Sequence, residues 1–459
     1  MDIHVVILAA GKGTRMRSTQ PKVLHRLGGA SLIEHVLRTA ASLGPKSATI
    51  VVGHMAEHVR SALQTWPGLQ FAIQEPQLGT AHALLQAERF LADKPGTLLL
   101  LSGDVPLLAP RTLTRLVHQH EQSHAALTVL TANVEDPHGY GRIVRLEGRI
   151  ARIVEEKDAS PAERRIREIN SGIYAFALEG LFDTVRAIDA RNAQGEHYLP
   201  DMVAVLRRRG RHVDTLVVED PREIRGINSR EELADAGRFL RQQKNDELMA
   251  AGVTIEDPAS TFIDPGVIVG TDTVLHPFVM LEGRTRIGAG CEIHSGTRIV
   301  NSMIGDGVAI NNHCVITDSR VGPGAVVGPF AHLRADADVR EDARVGNFVE
   351  LKKTSLGSGS KAMHLAYLGD ATIGSHVNIG AGTITCNYDG SRKQPTMIED
   401  GAFIGSDSQL IAPVTVGKGA YVGSGTTVRE NVPPGALAVS AGKQRNIEDW
   451  VEGRKKKIP

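Results

Sequence analysis

The chain has 459 residues, which favours roughly two to four domains, and its 52 Lys and Arg balance its 52 Asp and Glu. This zero net charge argues against general binding to nucleic acid or to anionic membranes. Its three widely separated cysteines, Cys291, Cys314 and Cys386, predict neither a disulfide framework nor a zinc knuckle, and they fit a reducing cytosol. The apolar start at 5–10 is too short for a signal peptide, and no window reaches the roughly 18 apolar residues of a membrane span. We therefore expect a cytoplasmic protein without membrane insertion.

The segment 1–226 alternates between strand-like and helix-like stretches. The apolar, β-rich runs lie at 4–8, 49–52, 98–101 and 127–131, and amphipathic helical stretches lie at 32–43 and 81–91. This alternation predicts an α/β, Rossmann-like domain with helices packed on a mostly parallel sheet. We expect that domain to span 1–228, with its ligands at the carboxyl ends of the strands.

A glycine loop follows the first predicted strand, in the segment 8–16 (LAAGKGTRM). Two glycines allow backbone N–H groups to approach a phosphate chain, and Lys12, Arg15 and Lys22 supply cations. The loop is neither a Walker A motif nor a full dinucleotide fingerprint, because Met16 replaces the third glycine. The pattern predicts phosphate binding.

A second candidate follows another apolar strand, at Ser102-Gly103-Asp104. Mg²⁺ commonly binds one or two carboxylates together with substrate phosphates, and Asp104 lies where a metal–triphosphate would bind. The alternative is an aspartate that caps a helix or turn.

One motif is a decoy. His54-Met55-Ala56-Glu57-His58 matches the inverted zinc-protease pattern, but we interpret it as solvated residues at a helix terminus.

A connecting helix is predicted over 229–251. Ser229-Arg230-Glu231-Glu232 is a capping box, and Gly252 suits the position after a helix end.

A six-residue repeat fills the chain from 252 to 435. An aliphatic residue followed by glycine recurs, as in Ile287-Gly288 and Ile304-Gly305, and 27 of the 48 glycines lie in this segment. Such a hexapeptide repeat is typical of a parallel β-helix in which three short strands complete one coil. We expect an all-β domain over 252–459 that ends in a C-terminal arm.

Polar residues interrupt the repeat around His364. Lys352, Tyr367 and Asn387 lie on neighbouring coils, and the stretch 387–394 breaks the six-residue spacing and is predicted to protrude. Histidine can take a proton from an amine nucleophile near neutral pH. Arg334 and Lys352 could neutralise a phosphate group.

Several motifs occur along the chain in the order found in a known enzyme family. The segment 8–16, residues 74–81 (QEPQLGTA), Gly103-Asp104, 139–142 (GYGR), Glu155, 170–172 (NSG) and 226–228 (GIN) make the chain resemble the sugar-phosphate nucleotidyltransferases. With the fused hexapeptide domain it resembles, over nearly its whole length, the bacterial bifunctional N-acetylglucosamine-1-phosphate uridyltransferase / glucosamine-1-phosphate acetyltransferases. That resemblance implies a homotrimer of left-handed β-helices, Mg²⁺ as cofactor, and UTP and acetyl-CoA as co-substrates.

The resemblance also implies roles for individual residues. Those expected to bind UTP and the UDP-sugar are Leu8, Ala9, Ala10, Gly11, Lys22, Gln74, Gly79, Thr80, Ser102, Gly103, Asp104, Gly141, Glu155, Asn170 and Asn228. Asp104 and Asn228 would ligate Mg²⁺, and Lys22 and Arg15 would stabilise charge on the triphosphate. His364 would be the general base of acetyl transfer. Those expected to hold glucosamine phosphate are Arg334, Lys352, Tyr367 and Asn378, and those around acetyl-CoA are Ala381, Asn387, Tyr388, Ser406, Ser424 and Lys443.

Two positions depart from the family. Ser102 stands where relatives often carry tyrosine, and Ala441 stands where they often carry an arginine that meets the phosphates of acetyl-CoA. We expect Lys443, or else Arg445, to supply the missing charge.

Two alternatives stay open at this point. A related enzyme could use another nucleotide or sugar, although the residues around His364 argue against an inert tail. A non-catalytic regulatory subunit could share both folds, but an argument against it is the presence of Lys22, Asp104, Asn228 and His364.

Overall fold

The computed structural model describes residues 2–190, 192–440, 442, 444 and 446–451. The chain divides into two compact units, Met1–Leu240 and Arg241–Pro459. Within the described residues, each helix is too short or too polar to traverse a lipid bilayer.

The first unit is built on a nine-stranded sheet that contains all its strands except a short β2–β3 pair. The strands are β1 (Ile3–Ala9), β2 (Arg26–Leu27), β3 (Ala30–Ser31), β4 (Ser47–Val52), β5 (Leu69–Ile73), β6 (Thr97–Ser102), β7 (Leu127–Asn133), β8 (Arg142–Leu146), β9 (Arg149–Val154), β10 (Glu168–Ala177) and β11 (Val213–Val217). Along the sheet the order is β11-β7-β10-β6-β1-β4-β5, and the β8–β9 hairpin joins at β10. β1 is parallel to both β4 and β6, so their carboxyl ends meet at one edge of the sheet.

Not every strand is parallel. β10 runs antiparallel to β6, β7 and β8, and its register shifts between Asn170 and Tyr174. This irregularity lies in the middle of the sheet, next to the carboxyl end of β6, and it turns Asn170 toward the phenol of Tyr174.

Helices flank the sheet and connect its strands. They are α1 (Leu32–Ala41), α2 (Ala56–Ala62), α3 (Thr80–Leu85), α4 (Glu88–Leu91), α5 (Pro110–Ser123), α6 (Leu181–Arg186), α7 (Met202–Arg208) and α8 (Arg230–Ala250). The prediction of a single helix over 81–91 is wrong at the centre of that range, where the structure has two separate helices, α3 and α4. Gln86 and Ala87 donate to carbonyls three residues back, and these tighter bonds separate α3 from α4.

The helix α8 begins with the expected capping box. The backbone N–H of Glu232 donates to Ser229 Oγ at 3.1 Å, and the Glu232 carboxylate accepts from the backbone N–H of Ser229 at 3.0 Å. The first part of α8 belongs to the first unit and the remainder to the second.

The second unit is a parallel β-helix with three faces, each a parallel sheet. Face 1 contains Thr254–Ile255, Val274–Leu275, Glu292–Ile293, Ala309–Ile310, Val326–Val327, Arg344–Asn347, Lys361–His364, Asn378–Ile379, Phe403–Ile404, Tyr421–Val422 and Leu437–Ala438. Face 2 contains Phe262–Ile263, Met280–Glu282, Arg298–Val300, Val315–Thr317, His332–Arg334, Glu350–Lys352, Tyr367–Gly369, Ile384–Cys386, Gln409–Ile411 and Thr427–Val428. Face 3 contains Ile268–Val269, Arg286–Ile287, Met303–Ile304, Arg320–Val321, Asp338–Val339, Ser355–Leu356, Ala371–Ile373, Thr396–Ile398 and Val414–Val416.

The repeat places one aliphatic side chain from most strands in a continuous core, such as Ile293, Ile310 and Val327. Gly346 follows such a residue because a Cβ there would lie 1.9 Å from the Met363 carbonyl oxygen of the next coil. The aliphatic–glycine pairs therefore mark corners at which successive coils approach most closely.

One coil of the β-helix is longer than its neighbours. Register partners along face 1 are mostly separated by one regular coil, as Lys361 is from Asn378. The chain between Asn378 and its own partner Phe403 is longer, because it contains the extra stretch that breaks the repeat. As expected, this stretch protrudes: residues 388–393 are exposed, and Tyr388 forms an isolated bridge with Lys393.

The three cysteines are free; Cys291 and Cys314 are buried, and Cys386 is half-buried.

Candidate functional sites

Several of the predicted phosphate-binding residues lie at the carboxyl ends of β1 and β6. Leu8 pairs with Ser102, and the backbone N–H of Gly103 donates to the Leu8 carbonyl at 2.9 Å. Ala9 and Ala10 are buried where β1 ends, and Gly11 is exposed just beyond. The glycine loop therefore presents its backbone to solvent at the sheet edge where ligands of such folds bind.

Cations surround this loop. Lys12 and Arg15 are exposed, and neither has an ion pair within the described part of the chain. Gly13 has φ of +60°, and a Cβ there would lie 2.6 Å from Lys22 Cβ. The loop can therefore pack against Lys22 only with a glycine at this position.

Lys22, Asp104 and Asn228 meet although they are far apart in sequence. The ammonium of Lys22 donates to the Asp104 carboxylate and, at 2.9 Å, to Asn228 Oδ1. Two oxygen ligands thus converge on one cationic centre. Carboxylate and amide oxygens also suit a hard divalent cation, so the donor set fits Mg²⁺ if Lys22 turns toward a phosphate.

The segment after β5 forms a second wall. Gln74 Nε2 donates to the Gly79 carbonyl at 2.9 Å, and Thr80 Oγ1 accepts from the backbone N–H of Leu199 at 3.0 Å. Gly79 has φ of +105°, and a Cβ there would lie 2.6 Å from the His197 carbonyl oxygen. This close approach requires glycine. It joins the segment before α3 to the loop at 196–200.

A cavity of about 290 Å³ lies beside the carboxyl ends of β1 and β6. Six predicted residues line it: Leu8, Thr80, Ser102, Gly141, Glu155 and Asn170. The remaining wall includes residues that the sequence did not single out: Tyr174, Glu196, Tyr198, Leu199 and Pro200. A Cβ on Gly141 would lie 3.0 Å from Glu155 Oε1, so the missing side chain leaves the carboxylate open to the cavity.

Burial tunes the polar groups of this cavity. It raises the pKa of Glu155, with a smaller contribution from Asp201, and it raises the pKa of Tyr198 to about 12. Burial also raises the pKa of Tyr174, whose hydroxyl accepts from Asn170 Nδ2 at 2.8 Å. The cavity therefore offers neutral phenols and a carboxylate as hydrogen-bonding partners for a polyhydroxyl ligand.

In the second unit, His364 ends a strand of face 1. Its Nδ1 lies 2.7 Å from Asn347 Oδ1, directly beneath it in the register. The amide oxygen can only accept, so Nδ1 carries the proton and Nε2 keeps a lone pair. The imidazole is exposed and held in the tautomer that a general base needs.

Cations lie on the adjacent face 2. Arg334 and Lys352 are register partners, and Arg334 Nε donates to Glu350 Oε1 at 2.7 Å. The ammonium of Lys393, on the protruding loop, lowers the pKa of Lys352. Two neighbouring ammonium groups repel each other, and an anion between them would relieve the repulsion.

Tyr367 and Asn387 lie together on face 2 and the loop that follows it. Asn387 Nδ2 donates to the Asp370 carboxylate and lies 3.4 Å from the Tyr367 hydroxyl. A Cβ on Gly369 would lie 2.5 Å from that hydroxyl, so glycine lets the phenol fold against the coil.

Three of the residues expected around acetyl-CoA form a column at one corner. Gly380-Ala381, Gly405-Ser406 and Gly423-Ser424 occupy equivalent positions on successive coils, since a Cβ on Gly380 or Gly405 would lie 2.5 Å from the next serine nitrogen. Asn378 starts the same corner, and Tyr388 is exposed on the loop nearby in sequence. Lys443, Ala441 and Arg445 lie outside the described residues.

Several neighbours of these residues escaped the sequence analysis. Asn347, Glu350 and Lys393 contact His364, Arg334 and Lys352 respectively, at positions set by the offset between coils. Aligning successive coils of the repeat with one another would have placed Asn347 beneath His364. Tyr198 had no comparable signal, because its loop has no periodic pattern.

The zinc-protease decoy is exposed at His54, Glu57 and His58. Among the described residues these three do not approach one another closely enough to share a metal ion.

Three family models match parts of the chain. The MobA-like NTP transferase domain matches residues 5–172, the GMPPB C-terminal domain matches 258–354, and the bacterial transferase hexapeptide matches 395–430. The fold and these matches define a nucleotidyltransferase domain joined to a left-handed hexapeptide-repeat β-helix of the transferase class.

Curated relatives align from end to end. The chain is 49% identical to the bifunctional protein GlmU of Pelobacter propionicus, over 99% of both chains. It is 48% identical to that of Koribacter versatilis, over 99% of this chain and 98% of the relative. Against that of an Anaeromyxobacter species the identity is 51%, over 99% of this chain and 93% of the relative. The chain belongs to the family of bifunctional GlmU proteins.

Proposed function

We propose that this enzyme makes UDP-N-acetylglucosamine in two reactions. The second unit transfers an acetyl group from acetyl-CoA to glucosamine-1-phosphate, and the first unit transfers a uridyl group from UTP to the product. One observation carries the proposal: each unit has its own cluster of charged and proton-accepting groups, in a chain that aligns over its whole length with bifunctional relatives.

For acetyl transfer, His364 is the general base. Its Nε2 takes a proton as the substrate amine attacks the thioester carbonyl. The carbon–nitrogen bond forms, the carbon–sulfur bond breaks, and the proton passes on to the coenzyme A thiolate. Asn347 supports this role because it holds the opposite ring nitrogen protonated.

The glucosamine phosphate lies against Arg334, Lys352, Tyr367 and Asn378. A phosphate beside Lys352 offsets its repulsion from Lys393, which favours a dianion there. Glu350 holds the Arg334 guanidinium in place. Acetyl-CoA lies along the corner column of Ala381, Ser406 and Ser424, with Asn387 and Tyr388 beside it and Lys443 near its phosphates.

For uridyl transfer, the sugar phosphate attacks the α-phosphorus of UTP in line and pyrophosphate leaves. The chain contributes positioning and charge rather than a covalent intermediate. Backbone N–H groups from Gly11 to Gly13, with Arg15 and Lys22, lie against the triphosphate. Gln74, Gly79 and Thr80 hold the uridine, while Gly141, Glu155 and Asn170 bind the sugar in the cavity.

Asp104 and Asn228 would hold Mg²⁺, which supplies charge neutralisation on the phosphates. Their oxygens already converge on the ammonium of Lys22. Lys22 is then free to turn from Asp104 to the triphosphate.

The active form is a homotrimer in the cytoplasm. An exposed ladder on the β-helix supports the trimer: Phe330 stacks between His313 and Phe348 with ring centroids 5.2 and 5.3 Å apart, and Leu365 continues the column. Exposed stacked apolar side chains of this kind favour a protein partner. The cytoplasm is where UTP and acetyl-CoA are available.

Both reactions can be followed together. Purified chain is mixed with glucosamine-1-phosphate, acetyl-CoA, UTP and Mg²⁺, and free thiol and pyrophosphate are measured. Pyrophosphate should depend on acetyl-CoA, whereas thiol release should not depend on UTP. Pyrophosphate release with glucosamine-1-phosphate and UTP alone, at the same rate, would refute the proposed order.

A further inference from the structure

Four polar side chains meet at the beginning of the β-helix, and none of them belongs to the residues proposed above for uridyl or acetyl transfer. Ile255, Leu275 and Ile293 pair in register on face 1. The residues that follow them, Glu256, His276 and His294, therefore stand in one column across three coils. Glu292 lies two residues before His294 and so projects from the same side of the strand.

The four groups contact one another closely. His276 Nδ1 lies 3.0 Å from Glu256 Oε2, and His276 Nε2 lies 3.3 Å from Glu292 Oε1. His294 Nε2 lies 3.5 Å from the same Glu292 oxygen. The two imidazole rings stack with centroids 4.4 Å apart, at an angle of 10°.

Several of the facing atoms in this arrangement are acceptors. The Glu256 carboxylate accepts, so His276 Nδ1 carries a proton, and Nε2 has a lone pair whenever the ring holds only that proton. That lone pair faces an oxygen of Glu292, which also only accepts. One nitrogen of each ring and a carboxylate oxygen thus converge, all within 4.8 Å of one another, around a point that a metal ion can occupy.

We propose that His276, Glu292 and His294 bind a divalent transition-metal ion of the Zn²⁺ class. Two imidazole nitrogens and one carboxylate oxygen are a ligand set for such ions rather than for Mg²⁺ or Ca²⁺. Glu256 positions His276, since a metal-bound histidine commonly donates its other N–H to a carboxylate. The ion joins the second and third coils directly and the first through Glu256, so it clamps the start of the β-helix.

The test is a calorimetric titration of the tag-free full-length chain with Zn²⁺ at about pH 8, where ordinary imidazoles are neutral. Mg²⁺ in the buffer occupies oxygen-only sites. We expect one saturable equivalent of Zn²⁺ and a melting temperature of the second unit that rises with Zn²⁺ concentration, because the ion binds the folded state. Glu292→Gln and His276→Ala should abolish that equivalent.

Two further variants sharpen the test. Glu256→Gln should weaken Zn²⁺ binding by about tenfold without abolishing it, since only the positioning carboxylate is lost. His54→Ala is the matched control, because it removes an exposed histidine of the zinc-protease decoy at 54–58. It should leave Zn²⁺ binding unchanged. Glu292→Gln keeps the side-chain shape, and its metal-free melting temperature together with acetyl transfer checks that it folds.

Wild-type chain without saturable Zn²⁺ binding would overturn the proposal, and a proton would then be what joins these groups. Equal affinity in wild type and Glu292→Gln would overturn it as well.

Discussion

Replacing Asn347 by alanine tests how much of acetyl transfer depends on holding one imidazole. Asn347 contributes a single hydrogen bond of 2.7 Å to His364 Nδ1. Such a bond between neutral groups is worth about 0.5–1.5 kcal/mol net, and this pair is exposed, so the lower half of that range applies. At about 1.36 kcal/mol per factor of ten, kcat for thiol release should fall about two- to fivefold. Removing the base itself, in His364→Ala, should cost roughly 10²–10⁴-fold.

The assay compares the two single variants with the double variant. Because Asn347 acts only through the imidazole, Asn347→Ala should cost nothing further once His364 is absent. Uridyl transfer should stay at the wild-type rate in all three because the substituted residues lie in the second unit, and an unchanged melting temperature of that unit checks its fold. Asn347→Asp supplies a charge that favours the imidazolium, so the acid limb of its pH–rate profile should move to higher pH. Additive losses in the double variant, or an unmoved profile for Asn347→Asp, would refute the positioning role.

Further predictions concern both units. Asp104→Asn should abolish pyrophosphate release and leave thiol release unchanged, because it removes the charge that would hold Mg²⁺; wild-type pyrophosphate release would remove Asp104 from the reaction. Burial raises the pKa of Glu155, so the folded chain binds its proton more tightly than the unfolded chain, and this carboxyl opposes folding increasingly as pH rises above about 4. Glu155→Gln should therefore raise the melting temperature at about pH 8 but not at about pH 4, while it weakens sugar binding; a pH-independent difference would contradict this. Lys443→Ala or Arg445→Ala should raise the KM for acetyl-CoA by at most about fivefold, with an effect that fades in salt; unchanged values in both single variants and in the double variant would sink the substitution of Ala441. A fragment spanning 228–459 should keep acetyl transfer without uridyl transfer, and its inactivity as a folded trimer would contradict separable chemistries.

Local patterns predicted most of the fold. Hydrophobic periodicity located β1, β4, β6 and β7 to within two residues, and the aliphatic–glycine spacing predicted three strands per coil. Reversal of direction has no such local signature. The antiparallel course of β10 arises from its neighbours in the sheet and could not be read from an apolar run.

The site residues also divide into those with a local sequence signature and those without one. Glycine loops and the His364 segment stand out because they interrupt or terminate a pattern. Tyr198 and Lys393 lie close to groups distant in sequence. The break in the repeat at 387–394 predicted that Lys393 lies on a protruding loop, but no local pattern predicted which groups either residue approaches. The break between α3 and α4 was missed because a change from i→i+4 to i→i+3 bonds leaves the apolar spacing almost unchanged.

The corner column of Ala381, Ser406 and Ser424 places equivalent residues at a fixed spacing, one for each coil of the β-helix. Neighbouring strands lie about 4.8 Å apart, so three corners span about 10 Å. The length of column available to a ligand therefore changes by one coil at a time. An ordinary coil here runs from one register partner to the next, as from Phe403 to Tyr421. Inserting one residue into a strand would turn its inward side chain outward, whereas inserting a whole coil would preserve the core and lengthen the corner column by one coil. Descendants of this chain can therefore change the length of the corner column only by whole coils. Smaller changes in length are tolerated in the protruding loop at 387–394.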